Sequence, residues 1–123
     1  LEMGGIPLAT VVSLRARIPV VFLRKSAKSY GTCKFAEGPD VKGKKICLIE
    51  DVITTGGQVV ATTKMLRDAG AIVTSVVCVI DRSEGETQAL KDAGLKMKSV
   101  LTMAEIKEAV GEQIEQAEKQ AKK

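Results

Sequence analysis

The chain has 123 residues, of which 45% are hydrophobic and 28% are charged, a size and composition typical of one folded domain. Its three cysteines are widely spaced and it contains no histidine, which excludes a disulfide scaffold, a zinc finger and histidine-dependent catalysis. The apolar runs are far shorter than the roughly 20 residues of a membrane-spanning helix, and no secretory signal is recognisable. We therefore expect a cytoplasmic protein with no membrane partner.

The first half of the chain predicts a helix, a strand, a long loop and a second strand. Apolar residues recur at helical spacing from Pro7, which suits the first turn of a helix, until Pro19. Residues 20–23 form a short apolar run of the kind found in buried parallel strands. Residues 26–44 are polar and lack a helical period, which indicates a long loop or an irregular hairpin. Residues 46–49 are apolar again and predict a strand.

The second half continues the alternation. A helix that ends at Gly70 is followed by residues 72–80, the strongest strand signal in the chain. Two residue pairs have the form of a capping box and predict the starts of a short helix and of the C-terminal helix. These pairs are Ser83 with Glu86, and Thr102 with Glu105. An edge strand over residues 98–101 is expected between the two helices.

This pattern is typical of an α/β fold with a doubly wound, mostly parallel sheet. We expect residues 1–123 to form a single domain, in which residues 24–45 are a mobile basic loop and residues 102–120 a C-terminal helix. In such sheets, ligands bind at the carboxyl ends of the strands. Three predicted strand ends carry charged or glycine-rich sequence: Arg24 with Lys25, residues 50–57, and Asp81 with Arg82.

Positive charge is concentrated in residues 24–45, which hold seven basic and two acidic residues and so have a local net charge of +5. Such a segment points to an anionic partner, either a nucleic acid or a phosphorylated small molecule. Nucleic acid is the weaker choice, because Tyr30 and Phe35 are the only aromatic residues nearby and offer no stacking platform. A solvated loop without a ligand is the structural alternative.

Residues 50–58 carry the most informative motif. Glu50 and Asp51 end a predicted strand, and a Thr-Thr-Gly-Gly turn then opens a helix. Unpaired N–H groups and the positive end of the helix dipole, together with two glycines and two hydroxyls, make a cradle for a phosphate monoester. The two carboxylates could receive sugar hydroxyls or hold a metal-bound water. The pattern is neither an NTPase loop nor a dinucleotide fingerprint; an ordinary turn between strand and helix is the alternative.

Four motifs, in the same order along the chain, resemble one enzyme family. Residues 49–58 resemble the phosphoribosyl-pyrophosphate signature of type I phosphoribosyltransferases. Residues 24–32 (R-K-S-A-K-S-Y-G-T) resemble the mobile catalytic loop of orotate phosphoribosyltransferases, and residues 81–85 (D-R-S-E-G) and 4–9 (G-G-I-P-L-A) resemble their strand end and pyrophosphate loop. The resemblance implies a glycosyltransferase of pyrimidine biosynthesis, which transfers phosphoribosyl from phosphoribosyl pyrophosphate to orotate and gives orotidine 5'-monophosphate and pyrophosphate.

The resemblance also implies roles for individual residues. Lys28 and Asp51 would be catalytic. The implied phosphoribosyl-pyrophosphate site consists of Arg24, Lys25, Lys28, Tyr30, Glu50, Asp51, Val52, Ile53, Thr54, Thr55, Gly56, Gly57 and Gln58. In it, residues 54–58 would surround the 5-phosphate, the two acidic residues would meet the ribose hydroxyls and the basic residues would hold pyrophosphate. Thr54 and Arg82 would contact orotate.

The implied cofactor is Mg²⁺, bound mainly through the oxygens of the substrate and without a dedicated set of protein ligands. The implied assembly is a homodimer in which the basic loop reaches the site of the neighbouring subunit. No nucleic-acid partner is implied.

The sequence departs from the family pattern in three respects. Tyr30 stands where many bacterial members have histidine, and Gly4 stands where some have lysine. The chain also begins almost at the pyrophosphate loop, so the N-terminal segment that forms a hood over orotate and the first core strand is expected to be missing, as in a fragment or a reduced protein. Two other functions stay open: a non-catalytic regulator of the same fold that senses a phosphoribosyl ligand, and a purine-type phosphoribosyltransferase, which the R-K-x-x-K and D-R-x-E motifs disfavour.

Overall fold

The computed structural model describes residues 1–25, 35–85 and 87–122 of the chain. The elements in these ranges are, in chain order, α1 (Gly5–Ala16), β1 (Phe22–Leu23), β2 (Ala36–Glu37), β3 (Lys45–Ile53), α2 (Gly57–Asp68), β4 (Ile72–Asp81), α3 (Gln88–Asp92), β5 (Lys96–Thr102) and α4 (Met103–Ala121). The central part of the predicted basic loop, residues 26–34, lies outside the described residues. The expected mobility of that loop stays a prediction.

A three-stranded parallel sheet in the order β3-β4-β5 organises the described structure. β4 is the middle strand, and its almost continuously apolar sequence suits a position covered on both faces. Its pairing with β3 ends with Ile53 opposite Asp81, so the two strands reach the same edge of the sheet. The strands predicted over residues 46–49, 72–80 and 98–101 are confirmed, each within longer bounds.

Helices cover both faces of this sheet. On one face, Leu48, Val76 and Cys78 are at most 2% exposed, and α2 packs on β4. On the other face, α1 packs along β3, where Ile49 and Val77 are half-buried and line an open apolar groove of about 530 Å³. Two helical layers around a parallel sheet are the doubly wound architecture, so the α/β fold predicted from the sequence is confirmed.

A small antiparallel hairpin lies outside the parallel sheet, with Phe22 of β1 opposite Glu37 of β2. The prediction that residues 20–23 form a buried parallel strand is therefore wrong. Within that run only Leu23 is buried, at 3% exposure, and its strand pairs with the returning polar segment. A short apolar run specifies neither the length nor the partner of a strand. For residues 26–44 the sequence predicts either a long loop or an irregular hairpin. The described part of this segment contains β2, which pairs with β1 as the second strand of a hairpin.

The C-terminal helix begins as predicted. The Thr102 hydroxyl accepts a hydrogen bond from the Glu105 N–H at 3.2 Å, and the Glu105 carboxylate accepts one from the Thr102 N–H at 2.8 Å. This reciprocal pair is a capping box. Farther along α4, Val110 and Ile114 are 47% and 54% exposed, so the described residues cover the apolar stripe of α4 only in part.

The other predicted capping box is wrong as a helix start. α3 begins at Gln88, and its N-cap is Thr87, whose hydroxyl accepts a hydrogen bond from the Leu90 N–H at 3.3 Å. Ser83 forms hydrogen bonds with Asp81 instead, because a short hydroxyl side chain competes readily for a nearby turn acceptor. The second member of the predicted box, residue 86, lies outside the described residues.

Leu66→Ala tests the buried face of α2. Leu66 is fully buried, at 0% exposure, so removing its side chain should leave a cavity and lower the free energy of unfolding by about 3 kcal/mol. Leu14→Ala is the matched control on α1, because Leu14 is 76% exposed and the same change there should cost less than about 0.5 kcal/mol. Urea unfolding measures both variants. Equal losses would contradict the packing of α2 on the sheet.

Candidate functional site

The carboxyl ends of β3 and β4 lie side by side at one edge of the sheet. Ile53 pairs with Asp81, and the Arg82 N–H donates a hydrogen bond to the Ile53 carbonyl oxygen at 2.9 Å. Glu50 and Asp51 were expected to end β3, but the strand continues to Ile53 and both lie within it. Backbone pairing therefore brings together the two segments that the sequence motifs singled out.

The two acidic residues of β3 face opposite sides of the sheet, because side chains alternate along a strand. Glu50 is 9% exposed, and its Oε1 accepts a hydrogen bond from the Asp51 N–H at 3.1 Å. Asp51 is exposed, and its Oδ1 accepts a hydrogen bond from the Val52 N–H at 2.8 Å. The open carboxylate of this pair is therefore that of Asp51.

Burial of Glu50 changes its titration. Loss of hydration raises the pKa of Glu50 above its ordinary value of 4.5, while the hydrogen bond from the Asp51 N–H opposes that rise. Burial, with a smaller contribution from the charges of Asp81 and Glu50, also raises the pKa of the Cys78 thiol. A neutral buried thiol is a poor nucleophile, so Cys78 is a core residue here.

The turn that opens α2 is shaped by glycine and supported by α3. Gly56 is the N-cap residue and has a φ of +78°, a left-handed conformation that favours glycine. A Cβ at this position would lie 3.0 Å from Leu90 Cδ2 and 3.2 Å from Thr87 Oγ1. The backbone of the turn therefore packs directly against α3, and a larger residue would displace it.

The first N–H groups of α2 are available to an anion. Gly56 has no side chain to cap them, and the nearest substitute among the described residues is Thr55 Oγ1, which the Gly57 N–H approaches at 3.4 Å. Thr54, Thr55 and Gln58 are exposed. Unpaired donors, hydroxyls and the positive end of the helix dipole meet in one turn, which is the geometry that binds a phosphate group.

The turn before α1 lies against β3 at the level of Asp51. A Cβ on Gly4 would collide with the Asp51 carboxylate, and a Cβ on Gly5 would lie 2.5 Å from the Ile49 carbonyl oxygen. Only glycine permits so close an approach of two backbones. Gly4 stands where some members of the family have lysine. Its lack of a side chain lets the start of α1 reach the exposed carboxylate of Asp51.

Arg24 and Lys25 stand at the base of the predicted basic loop. The Arg24 Nη2 lies 3.4 Å from Glu37 Oε1, and the Lys25 N–H donates a hydrogen bond to Glu2 Oε1 at 2.6 Å. Glu2 belongs to the same turn that touches Asp51, so this turn joins the base of the loop to the acidic pair. Two other predicted residues of the loop lie outside the described residues: Lys28 and Tyr30.

Asp81 shapes the turn that carries Arg82. Asp81 is 4% exposed, and its Oδ1 accepts hydrogen bonds from the Ser83 N–H at 2.7 Å and from the Ser83 hydroxyl at 2.5 Å. That hydroxyl also contacts the Gly85 carbonyl oxygen. Arg82 itself is exposed, and its side chain forms no hydrogen bond or ion pair with another described residue. Its guanidinium group is thus open to an anionic ligand.

Sequence reasoning missed three residues that support the site: Glu2, Glu37 and Thr87. The partners of Glu2 and Glu37 are 23 and 13 residues away in the chain, and no local pattern marks such contacts. Thr87 had a detectable signal, because a threonine directly before a predicted helix is a common N-cap.

The chain resembles known proteins in sequence and in fold. A family model described as "Phosphoribosyl transferase domain" matches residues 1–114. The chain belongs to the phosphoribosyl transferase domain family. Over 106 residues it is 57% identical to a protein named orotate phosphoribosyltransferase from Nocardioides sp. (strain ATCC BAA-499 / JS614), a match that covers 86% of this chain and 59% of that protein. The chain therefore spans less than two thirds of the length of this relative.

Two solved structures resemble the fold. An orotate phosphoribosyltransferase from Aeropyrum pernix superposes with a TM-score of 0.75 at 30% identity, over 89% of this chain and 60% of that one. An orotate phosphoribosyltransferase from Mycobacterium tuberculosis H37Rv, in complex with 5-phospho-alpha-D-ribosyl 1-diphosphate, gives a TM-score of 0.69 at 30% identity, over 85% and 60% of the two chains. The resemblance that the four motifs indicated is thereby confirmed.

Two features of the described part of the chain concern metals and membranes. Residues 1–25, 35–85 and 87–122 contain no group of three or more histidine, cysteine, aspartate or glutamate side chains that could hold a metal ion. Within the same ranges, no helix has both the length and the apolar character needed to span a membrane.

Glu50→Gln tests the burial of Glu50. Because its pKa is raised in the folded protein, the folded state binds the proton more tightly than the unfolded chain does, and the free energy of unfolding falls as the pH rises from 4.5 to the raised value. Above that window Glu50 is charged in both the folded and the unfolded state, and the free energy of unfolding is lowered by the full cost of burying the charge. The variant removes the charge and keeps an oxygen acceptor for the Asp51 N–H, so it should be more stable than the wild type at neutral pH.

Denaturant unfolding from acidic to neutral pH measures this difference. The exposed Glu108 on α4 provides the control, and Glu108→Gln should leave the pH profile close to that of the wild type. If Glu50→Gln lost as much stability between acidic and neutral pH as the wild type, the buried-charge assignment would be wrong.

Proposed function

We propose that this chain is the donor-binding core of an orotate phosphoribosyltransferase of pyrimidine biosynthesis. The enzyme transfers the phosphoribosyl group of phosphoribosyl pyrophosphate to orotate and gives orotidine 5'-monophosphate and pyrophosphate. The observation that carries the proposal is the uncapped, glycine-shaped start of α2, which follows within a few residues of the exposed carboxylate of Asp51 in the chain. Such a pair suits a sugar phosphate, because the helix start binds phosphate oxygens and the carboxylate accepts hydrogen bonds from hydroxyls.

The 5-phosphate of the donor is assigned to residues 54–58. The N–H groups of the first helical turn and the two threonine hydroxyls donate to its oxygens, and the two glycines let the backbone come close. Gln58 adds an exposed amide. Val52 and Ile53 support the loop through the sheet, because Ile53 is 2% exposed and packs in the core.

The ribose is assigned to the acidic pair. Asp51 accepts hydrogen bonds from the ring hydroxyls, and its negative charge stabilises the positive charge that develops on the ring as the bond to pyrophosphate breaks. The burial of Glu50 favours a supporting part, in which its carboxylate holds the Asp51 N–H at 3.1 Å and fixes the orientation of the neighbouring residue.

The pyrophosphate is assigned to the basic loop. Arg24 and Lys25 form its described base, and Lys28 and Tyr30, which lie outside the described residues, complete the set. The leaving group gains charge as the bond breaks, and a basic loop that closes over it both neutralises that charge and excludes water, which would otherwise hydrolyse the donor. Lys28 is therefore assigned as the catalytic cation.

Orotate is assigned to Arg82 and Thr54. The Arg82 guanidinium is exposed at the same edge of the sheet as the phosphate turn and suits a carboxylate, with which it forms charge-assisted hydrogen bonds. The Thr54 hydroxyl is exposed between the acidic pair and the helix start and can donate to the pyrimidine ring.

Mg²⁺ fits this edge as a partner of the substrate. This ion prefers oxygen ligands and usually keeps waters and substrate phosphates instead of a complete protein cage. Asp51 is an exposed carboxylate beside the proposed sugar site, and it would hold the ion together with oxygens of the donor. When bound, Mg²⁺ offsets the negative charge of the pyrophosphate group.

The proposal extends to assembly and location. We assign a homodimer in which each basic loop serves the site of the neighbouring subunit, with no nucleic-acid partner. We also assign a cytoplasmic location. The thiols of Cys47 and Cys78 are unpaired, as is usual for proteins of a reducing compartment.

Gly56→Val tests the phosphate site. The wild type should bind phosphoribosyl pyrophosphate in the presence of Mg²⁺, and the variant should bind more than about tenfold more weakly, because a β-branched residue at a φ of +78° is strained by ~1–3 kcal/mol and meets Leu90. Gly111→Val is the matched control, since nothing lies within 4 Å of a Cβ at Gly111. Isothermal calorimetry measures both. Equal affinities of the two variants would refute the assignment.

Lys28→Ala and Arg82→Ala separate the two ends of the reaction. Lys28→Ala should lower kcat by about a hundredfold, because its contact with the leaving group strengthens only in the transition state. Arg82→Ala should instead raise the KM for orotate, whose carboxylate is charged before and after the reaction. Steady-state kinetics, in this chain and in a chimera that adds the N-terminal segment of a longer relative, provide the measurement. Wild-type turnover in Lys28→Ala together with loss of donor binding in Arg82→Ala would reverse the assigned roles.

A further inference from the structure

The backbone at the base of the basic loop is held from two sides. The Glu2 N–H donates a hydrogen bond to the Leu23 carbonyl oxygen at 2.8 Å, and the Arg24 N–H donates one to the Phe35 carbonyl oxygen at 2.7 Å. The Lys25 N–H donates a third to Glu2 Oε1 at 2.6 Å. Three consecutive residues are thus tied to the turn before α1 and to the segment that leads into β2. The main chain at Arg24 is fixed, and only its long side chain needs further orientation.

Glu37 meets that side chain. Phe22 lies opposite Glu37 in the hairpin. Arg24 is the first residue after β1, and the alternation of side chains along an extended chain puts it on the same side as Phe22. The Arg24 Nη2 lies 3.4 Å from Glu37 Oε1, with the side chains 31% and 44% exposed. The Arg24 Nε is buried and has no hydrogen-bond partner among the described residues. Glu37 therefore engages one end of the guanidinium group and leaves most of its five N–H donors free.

The ion pair between Arg24 and Glu37 is expected to contribute little to the stability of the fold. Pairs between partly exposed charges contribute little to folding, because solvent screens them and two long side chains lose their freedom. Glu37 also reduces the net positive charge next to a group that has to attract an anion. What the pair does provide is orientation, since it holds a flexible arginine in one arrangement before the anion arrives.

We propose that Glu37 is a positioning residue for Arg24, which it holds in the orientation that receives the pyrophosphate group. This inference rests on the proposed function, in which Arg24 binds that group. Glu37 does not touch the substrate. Its removal should therefore weaken pyrophosphate binding only through Arg24, and should leave the phosphate site at the start of α2 unaffected.

Calorimetry with inorganic pyrophosphate and Mg²⁺ tests this on the 123-residue chain. Glu37→Ala should weaken pyrophosphate binding about fivefold, as expected for two coupled neighbours, and Glu37→Gln, which keeps an oxygen acceptor, should recover part of the loss. In an Arg24→Ala background, Glu37→Ala should have no further effect. Binding of ribose 5-phosphate should stay unchanged in all Glu37 variants, which separates positioning from a general loss of structure.

Glu115→Ala is the matched control, because it breaks an exposed ion pair with Lys119 (2.9 Å) on α4, far along the chain from the hairpin. It should not change pyrophosphate binding. Tighter or unchanged binding in Glu37→Ala would overturn the inference, as would an equal loss in the Arg24→Ala background. A wild-type chain that binds neither pyrophosphate nor ribose 5-phosphate would refute the proposed function itself. A wild type that binds both, with no effect of Glu37→Ala, would refute only the positioning of Arg24.

Discussion

The parallel pairing of β3 with β4 is the constraint on which the candidate site depends. Because both strands run in the same direction, Ile53 and Asp81 reach one edge together, and the hydrogen bond from the Arg82 N–H to the Ile53 carbonyl oxygen extends the pairing one residue past the end of β4. A slip of one residue in β3 would turn Asp51 towards the core and Glu50 towards solvent. The register therefore decides which of the two carboxylates is exposed in the strand that leads into the phosphate turn.

Local patterns account for most of the predicted fold. The strand over residues 72–80 and the capping box at the start of α4 were predictable because each signal lies within a few neighbouring residues. The pairing of the apolar run at residues 20–23 could not be predicted. A short apolar run does not specify which strand it pairs with, and β2 follows only after a polar segment. The box at Ser83 failed because Asp81, two residues earlier, is buried and takes the serine hydroxyl.

At the site, the chemistry was easier to predict than the geometry. The phosphate turn is visible in the sequence because its glycines, its threonines and the helix start lie within a few neighbouring residues. The unequal burial of Glu50 and Asp51 was not visible, because it depends on how far β3 continues. The ion pair between Arg24 and Glu37 was also beyond prediction, because its partners meet only through the register of a hairpin. Residues that carry chemistry thus form local motifs, whereas those that orient them depend on tertiary contacts.

The central claim is that the start of α2, together with Asp51, binds a sugar phosphate. The most direct measurement is an NMR titration of the isotope-labelled chain with ribose 5-phosphate, followed through the backbone amide shifts. The account predicts the largest changes at residues 55–58, at the uncapped helix start, and smaller ones at Asp51. Largest changes in the apolar groove between α1 and β3, at Cys47 and Ile49, or no saturable change anywhere, would contradict it.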